Sequence, residues 1–196
     1  MTICVTGIRI CLALSQIEEM KKFKLFLSQQ GFSIIDESTD GSAALRNIKT
    51  LHPDLIIADA DLQGISGIKL AEILDEEDIA PVIVITSSNE GLWMNSGQPQ
   101  NVAFLRRPIT KAGLLQTIQL SLISYQKQKQ LKDEIKRLKE QLEDRKLIEN
   151  AKGIIMAKFG MTEKEAHRLL QKKSMDTGTP LRELAKAIIL TNGLDN

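Results

Sequence analysis

The chain has 196 residues, of which 42% are hydrophobic and 26% are charged, a composition typical of a globular protein with a substantial core. Its two cysteines form no CxxC pair and have no clustered histidines near them, which argues against a disulfide framework or a zinc site. No apolar stretch is long enough to span a bilayer, and the N-terminus lacks the basic start and cleavage site of a signal peptide. We therefore expect a cytoplasmic protein that does not contact the membrane, with Cys11 as a small core residue.

The formal net charge of +1 hides an asymmetry between two parts of the chain. Residues 1–125 hold 10 basic and 14 acidic residues, a net charge of −4, whereas residues 126–196 hold 16 basic and 11 acidic residues, a net charge of +5. This difference predicts two parts with different partners, and the basic part is a candidate for binding a polyanion.

The first 125 residues alternate short apolar runs with helical periodicities, and this alternation predicts a doubly wound, parallel α/β sheet. The predicted strands are residues 8–14, 32–35, 54–58, 82–86 and 102–105, and the predicted helices are 17–31, 42–50, 68–74 and 110–124. Residues 87–101 contain two glycines and a proline without helical period, so we expect no regular helix there. Ligands of such sheets bind beyond the carboxyl ends of the strands, where Asp59 and Thr86 are predicted to lie.

From Gln126 onward the sequence becomes helical and highly charged. The apolar residues Leu131, Ile135, Leu138 and Leu142 follow a 4-3-4 spacing between charged neighbours, which predicts a coiled-coil seam of about two heptads. A seam of this length is marginal alone but could pair two chains whose other domains also touch. The alternative is a solvated connecting helix.

Three helical segments with clear end signals follow the seam. The seam helix is predicted to continue to Phe159 and to end at Gly160. Thr162 and Glu165 have the spacing of a capping box, which predicts the start of a second helix ending near Gly178. Thr179-Pro180 is predicted to open a third helix, with the cap hydroxyl at Thr179.

The first 125 residues resemble the receiver domain of two-component response regulators. Residues 53–59, Pro-Asp-Leu-Ile-Ile-Ala-Asp, match the strand that presents the phosphoacceptor aspartate, and Gly64 and Gly67 match glycines of the following loop. Residues 81–86 match the strand with the switch threonine, Thr86, and residues 104–109 match the strand that normally ends in Lys-Pro. The resemblance implies a five-stranded, flavodoxin-like receiver fold, with Asp59 at the phosphoacceptor position and Thr86 and Arg107 at the switch positions.

Three of the receiver family's catalytic partners are replaced in this sequence. Leu14 and Ser15 occupy the positions of the acidic pair that holds magnesium in the family, and Arg107 occupies the position of the lysine. Magnesium prefers carboxylate and water oxygens, so Asp59 without the acidic pair is a poor site for it and we expect no cofactor. Arginine keeps the charge of lysine in a different geometry. Asp59 is therefore expected to form a static ion pair with Arg107, and the alternative is a phosphorylated switch.

The tail has the helical outline of a helix-turn-helix, which would suggest a DNA-binding response regulator. Lys164, Arg168 and Lys172 recur every four residues and share one face of the second helix, where they could lie along phosphates. A solvated charged face is the alternative interpretation of these three residues.

The tail also closely resembles the ANTAR domain, the RNA-binding module of bacterial antitermination regulators of the amidase and ethanolamine type. The resemblance covers about residues 136–191 and is carried by residues 147–156, Leu-Ile-Glu-Asn-Ala-Lys-Gly-Ile-Ile-Met, residues 160–166, and residues 174–185. It implies a protein that binds paired stem-loops in nascent messenger RNA so that a terminator cannot form. The candidate RNA-binding residues are Ala151, Lys152, Gly153, Met156, Lys164, Arg168 and Lys172.

Individual roles are expected for these residues. Lys152 and Arg168 can meet phosphates, while Ala151 and Gly153 would keep the helix surface flat enough for a base or sugar to approach. Met156 is a contact or a core residue. Phe159 is the tail's only aromatic residue, so we expect hydrogen bonds and charge to contribute more than base stacking.

The sequence as a whole predicts a receiver-like domain over residues 1–124, a coiled-coil linker over 125–147 and an all-α three-helix domain over 148–196. We expect an antitermination regulator that is not an enzyme, forms a homodimer through the seam, and receives its signal by protein contact at residues 87–101. One alternative is a protein whose receiver domain only holds a partner that blocks the tail. The rival hypothesis is a DNA-binding response regulator with a helix-turn-helix-like output domain.

Overall fold

The computed structural model describes residues 7–87 and 100–194. The chain divides into two compact units, Met1–Lys129, here the receiver unit, and Gln130–Asn196, here the helical unit. The expectation for residues 87–101 falls largely on positions 88–99, which lie outside the described residues, as does Cys4. None of the described helices has the length and apolar character needed to cross a membrane.

The receiver unit is built on a five-stranded sheet in which every neighbouring pair of strands is parallel. Its strands are β1 (Arg9–Ala13), β2 (Ser33–Ser38), β3 (Leu55–Asp59), β4 (Val82–Thr86) and β5 (Val102–Arg106). Their order across the sheet is β2-β1-β3-β4-β5, the flavodoxin-like order. All residues of β3 and β4 are buried, as expected for central strands with both faces covered. The predicted doubly wound fold is confirmed.

Helices cover both faces of this sheet. They are α1 (Ile17–Gln29), α2 (Gly41–Leu51), α3 (Gly67–Glu76) and α4 (Lys111–Phe159). Side chains of α1 and of the first turns of α4 pack with one set of strand residues, and those of α2 and α3 pack with the other set. Cys11 is buried among the second set, and burial is the main cause that raises the pKa of its thiol to about 12.

The helix α4 is continuous over 49 residues, although the sequence predicted one helix ending at Ser124 and another starting at Gln126. The helix has no reason to end there, because neither Tyr125 nor Gln126 is a helix breaker. The Tyr125 hydroxyl also donates to the backbone oxygens of Asp78 and Ile79 at 3.1 and 3.3 Å. These bonds fasten α4 to the segment that leads into β4.

The helical unit packs the end of α4 against α5 (Glu163–Thr177) and α6 (Leu181–Leu194). The predicted capping box is present: the Thr162 side chain accepts from the Glu165 amide, and the Glu165 carboxylate accepts from the Thr162 amide at 2.9 Å. The Thr162 hydroxyl also donates to that carboxylate at 2.7 Å. The two hydrogen bonds that the carboxylate accepts lower the pKa of Glu165. The helix α6 begins one residue later than predicted, and the Pro180 oxygen accepts its first amides. A long helix and two shorter ones thus confirm the predicted all-α C-terminal part.

Candidate functional site

The acid pocket of the receiver unit lies at the carboxyl ends of the central strands. Asp59 is the last residue of β3 and is only 2% exposed. The following loop turns tightly under it: Gly64 has a φ of 72°, and a Cβ at Gly67 would collide with the backbone oxygen of Asp59. Both loop glycines are therefore required by the backbone path that presents this carboxylate.

Both carboxylate oxygens of Asp59 are hydrogen-bonded within the protein. Its Oδ2 accepts from the Ser15 amide at 2.9 Å and from the Ser15 hydroxyl at 2.6 Å. Its Oδ1 accepts from the Arg107 guanidinium at 2.7 Å. This is the ion pair between Asp59 and Arg107 that we expected from the sequence, with the Ser15 hydroxyl as an additional donor.

Arg107 also binds a second acid that the sequence analysis missed. Its Nη2 atom donates to Glu19 Oε2 at 2.6 Å as well as to Asp59. Burial alone would lower the pKa of Arg107, but hydrogen bonds and charges from Glu19 and Asp59 outweigh burial and raise it. The guanidinium is therefore held as a permanent cation between two carboxylates.

The donor set in this pocket does not fit the magnesium ion that the receiver family holds at this position. Leu14 is fully buried among core side chains, and both oxygens of Asp59 already accept hydrogen bonds. The Glu19 carboxylate is bound to Arg107, which would place a guanidinium beside any cation. In the described parts of the chain, no cluster of three or more histidine, cysteine or acidic side chains could hold a metal.

Thr86 ends β4 beside the acid pocket and is buried. The residue before it pairs with Asp59 in the sheet register, and the Thr86 oxygen accepts from the Arg107 amide at 3.0 Å. The structure thus brings together the three residues that the sequence placed at phosphoacceptor and switch positions. Ser15 and Glu19 complete the pocket.

The basic face of the helical unit lies on α5. Lys164, Arg168 and Lys172 are all exposed along this helix, as the spacing of four residues predicted. Three cations on one face provide a surface that can follow a phosphate backbone. Their contact with nucleic acid stays a prediction.

Lys152, by contrast, is buried and paired within the protein. Its residue is 6% exposed, and its Nζ atom lies 2.8 Å from both Glu149 Oε2 and Glu163 Oε1. Hydrogen bonds to Glu149 and Glu163 raise the pKa of Lys152, and the bond from Lys152 lowers the pKa of Glu163. Lys152 therefore links α4 to the first turn of α5, and its charge is already neutralised.

The neighbours of Lys152 divide between core and surface. Ala151 is fully buried in the core of the helical unit, because α5 and α6 pack on that side of α4, so it does not form part of a flat outer surface. Met156 is half-buried and packs against the same core. Gly153 is exposed, and a Cβ added to it would meet no atom within 4 Å. Of this group, Gly153 alone is exposed.

The predicted seam residues lie on the exposed surface of α4. Leu131, Ile135, Leu138 and Leu142 are each between 51% and 55% exposed. Four large apolar side chains at coiled-coil spacing form an apolar stripe that a single chain leaves uncovered.

Two families match the chain over separate ranges. The response regulator receiver domain matches residues 16–119, and the ANTAR domain matches residues 136–189. The chain belongs to the response regulators that join a receiver domain to an ANTAR domain.

Full-length and domain-level relatives agree with this family. The transcriptional regulatory protein PdtaR of Mycobacterium tuberculosis is 32% identical over 168 residues, which cover 85% of this chain and 82% of that protein. The signal receiver domain of a modulated diguanylate cyclase from Desulfovibrio desulfuricans matches with a TM-score of 0.56 and 19% identity, covering 61% of this chain and 97% of that one. The receiver domain of the PhyR response regulator from Erythrobacter litoralis matches with a TM-score of 0.53 and 21% identity, covering 60% and 92%. These two solved structures share the receiver fold.

Proposed function

We propose that this protein is a transcription antitermination regulator that binds RNA stem-loops through its helical unit. The carrying observation is the exposed basic face of Lys164, Arg168 and Lys172 on a domain of the ANTAR family. Proteins read RNA sequence mainly in single-stranded loops, and cations on a helix hold the adjoining phosphates. Two such modules on a dimer would hold two stem-loops at once, so that the competing terminator hairpin does not form.

A competition experiment tests the choice of nucleic acid. A transcript with two hairpins and a DNA duplex of equal phosphate number are titrated against the full chain at several salt concentrations. We expect preference for the transcript, with affinity falling as salt rises because each cation that meets a phosphate displaces a counterion. Preference for the duplex at moderate salt would contradict the antitermination proposal and support a DNA-binding regulator.

A charge variant assigns this binding to the basic face. Replacing Arg168 by Ala should weaken binding to all hairpins alike. It should also reduce the slope of the logarithm of affinity against the logarithm of salt concentration by about one. Lys146→Ala is the matched control, since this exposed cation lies on α4 outside the basic face. Equal losses in the two variants would mean that α5 has no special role.

The receiver unit of this regulator is proposed to act without phosphorylation and without enzymatic activity. Both oxygens of Asp59 are bonded, and the charge that magnesium would supply comes from Arg107. A dianionic acyl phosphate at Asp59 would have to displace Arg107 or Ser15 from hydrogen bonds of 2.6 to 2.9 Å. The signal would then arrive by contact with a regulatory protein.

Mass spectrometry tests this part of the proposal. The protein is incubated with acetyl phosphate and magnesium, alongside the Asp59→Asn variant. We expect no phosphoryl mass gain that depends on Asp59. A clear gain in the wild-type protein alone would show that the pocket opens and accepts a phosphoryl group.

The seam is proposed to join two copies of the chain. Four half-exposed apolar residues at coiled-coil spacing would be covered by the same stripe of a second copy. Leu138→Asp should shift the sedimentation equilibrium toward monomer, whereas Glu140→Lys, at an exposed position off the seam, should leave it unchanged. A dimer that persists in Leu138→Asp would place the contact elsewhere.

A further inference from the structure

The helical unit carries a groove that none of the roles above uses. Two adjoining cavities open between the end of α4 and α6, and they share Ile154, Lys158 and Asn192. The deeper cavity has a volume of about 390 Å³ and a largely apolar lining that also involves α5. Its size lies within the range of pockets that bind small organic groups.

Gly153 lines the shallower cavity and has no structural reason to be glycine. It lies inside a long helix, where glycine is less favourable than alanine because it loses more backbone freedom on folding. Its backbone is not left-handed, and the space for a Cβ is empty. In the receiver unit, Gly67 differs, because a Cβ there would collide with backbone. A glycine that weakens its helix and faces an open groove indicates close approach of a ligand.

The polar and aromatic groups around the groove suit one kind of ligand. Asn150 and Asn192 bring side-chain amides, which offer both donors and an acceptor, as the edges of nucleobases require. Phe159 lines the deeper cavity and is 61% exposed as a residue, so that its ring can take part in stacking. Lys158 and Lys173 lie in the lining of the same cavity and bring positive charge to it.

The basic face on α5 continues toward this groove. Lys172 belongs to that face and Lys173 to the groove lining, and successive residues of a helix are about 100° apart around its axis. A phosphate backbone that follows Lys164, Arg168 and Lys172 therefore reaches the cations of the groove after about a quarter turn of α5.

We propose that this groove, lined by Gly153, Phe159 and Asn192, accepts an unpaired nucleobase from the loop of a bound RNA hairpin. The base stacks on Phe159, the asparagine amides bond its edge, and the lysines meet the flanking phosphates. The proposal rests on the RNA-binding function above and adds the surface that reads the loop. A second copy of the chain that covered the groove with apolar side chains would instead bury the amides of Asn150 and Asn192 without hydrogen-bond partners.

Loop-randomised hairpins test this assignment. Full-length protein is titrated with a pool of RNAs that have fixed stems and randomised loops, and with the same stems joined as a continuous RNA duplex. Phe159→Ala should lower affinity for the hairpin pool by about 5- to 100-fold, as expected for one lost stacked base. Asn192→Ala should lower it by about 2- to 10-fold, as expected for one lost hydrogen bond, and both variants should leave duplex affinity unchanged. Met175→Ala, at an exposed apolar position of α5 outside the groove, is the control and should change neither.

Gly153→Ala separates binding from folding. The added methyl group should raise the unfolding temperature, because alanine favours the helix, and should lower hairpin affinity by narrowing the groove. A folding defect would lower the unfolding temperature and the hairpin affinity together, so it cannot explain a variant that is more stable and binds less tightly. Unchanged or higher hairpin affinity in this variant would overturn the proposal that the RNA approaches Gly153 closely.

The outcomes keep the two proposals apart. If wild-type protein prefers hairpins and all three groove variants keep that preference, the groove assignment fails and the RNA-binding function stands. If the wild-type protein binds neither the hairpin pool nor the RNA duplex, the RNA-binding function fails; if it binds both equally, the base-binding assignment of the groove fails. If the groove variants change sedimentation instead of RNA affinity, the groove is an interface between copies of the chain and the base-binding proposal is overturned.

Discussion

The receiver unit and the helical unit each bury one charged side chain that the sequence marks as functional, and they neutralise it differently. Asp59 is 2% exposed, and its partners Ser15 and Arg107 come from other strand ends, 44 and 48 residues away. The Lys152 side chain is 7% exposed, but its partners Glu149 and Glu163 are 53% and 69% exposed.

The difference is in what remains when the ion pair is broken. Removal of Arg107 leaves the buried Asp59 carboxylate with the Ser15 donors only, whereas removal of the Lys152 charge leaves two carboxylates that water already reaches. A buried carboxylate paired with a partly buried guanidinium therefore stabilises a pocket, while a buried cation whose partners are exposed mainly positions two helices. Three predictions test this contrast and one compares a glycine of each unit, from the largest expected effect to the smallest.

Arg107→Met should give the largest loss. The free energy of unfolding of the receiver unit is expected to fall by about 2–4 kcal/mol, because Asp59 stays buried without its counter-charge. The upper part of this range is the loss found when a fully buried ion pair is broken, and the range extends lower because Arg107 is partly exposed. Urea unfolding with hydrogen exchange in β3 measures it. The double variant Asp59→Asn with Arg107→Met should regain part of the stability, and no recovery would contradict the proposed cause.

The two glycines should respond with opposite signs. Gly67→Ala should destabilise the receiver unit by about 1–3 kcal/mol, because its Cβ overlaps the Asp59 backbone oxygen. Gly153→Ala should stabilise the helical unit by about 0.5–1 kcal/mol, since the helix gains a better former and the methyl group meets nothing. Thermal and urea unfolding of the two variants check this. A loss of stability in both would contradict the open space at Gly153.

Lys152→Met should lower the unfolding temperature of the helical unit less than Arg107→Met lowers that of the receiver unit. Because the pKa of Glu163 is lowered, its contribution to stability is present above the ordinary value of 4.5 and is lost as pH falls through the lower pKa of the folded state. The raised pKa of Lys152 gives a contribution that is present below 10.5 and lost at higher pH.

The stability gap between Lys152→Met and the wild-type protein should therefore be widest between these two limits and narrow as the solution is acidified below about pH 4.5. Thermal unfolding by circular dichroism at a series of pH values measures the gap. A gap that does not change with pH would mean that Lys152 acts only through the packing of its aliphatic chain.

Lys49→Met provides the baseline for both units. Lys49 and Glu77 form an ion pair at 2.6 Å in which both side chains are nearly half exposed. The expected change in the free energy of unfolding is within about 0.5 kcal/mol, because solvent screens such pairs. Urea unfolding measures it, and a loss comparable to that of Arg107→Met would remove the contrast between buried and exposed pairs.

Local patterns in the sequence predicted most of the fold. The apolar runs and helical periods located all five strands and the helices to within a few residues, because these signals depend on neighbours along the chain. The two helices predicted on either side of residue 125 form one helix, α4, because the sequence has no helix breaker between residues 124 and 126.

The candidate sites were less predictable because they depend on tertiary packing. The ion pair of Asp59 with Arg107 was expected, but Glu19 lies in the first turn of α1 and carries no local sign that it reaches the same guanidinium. Ala151 and Lys152 are buried because α5 and α6 cover that side of α4. The sequence around the two residues does not show which side of α4 these helices cover. For Lys152, the one available signal was Glu149, which lies one helical turn before it and is spaced for an ion pair.

The two hydrogen bonds of Tyr125 make the contact of α4 with the segment before β4 observable in solution. Tyr125 is the chain's only tyrosine, so an isotope label on tyrosine rings reports a single position. The Tyr125 hydroxyl donates to the backbone oxygens of Asp78 and Ile79. Tyr125 itself lies six residues before the first seam residue, Leu131. A regulatory protein that loosens α4 from the receiver unit would expose this phenol to water and shift its spectrum, without any engineered probe.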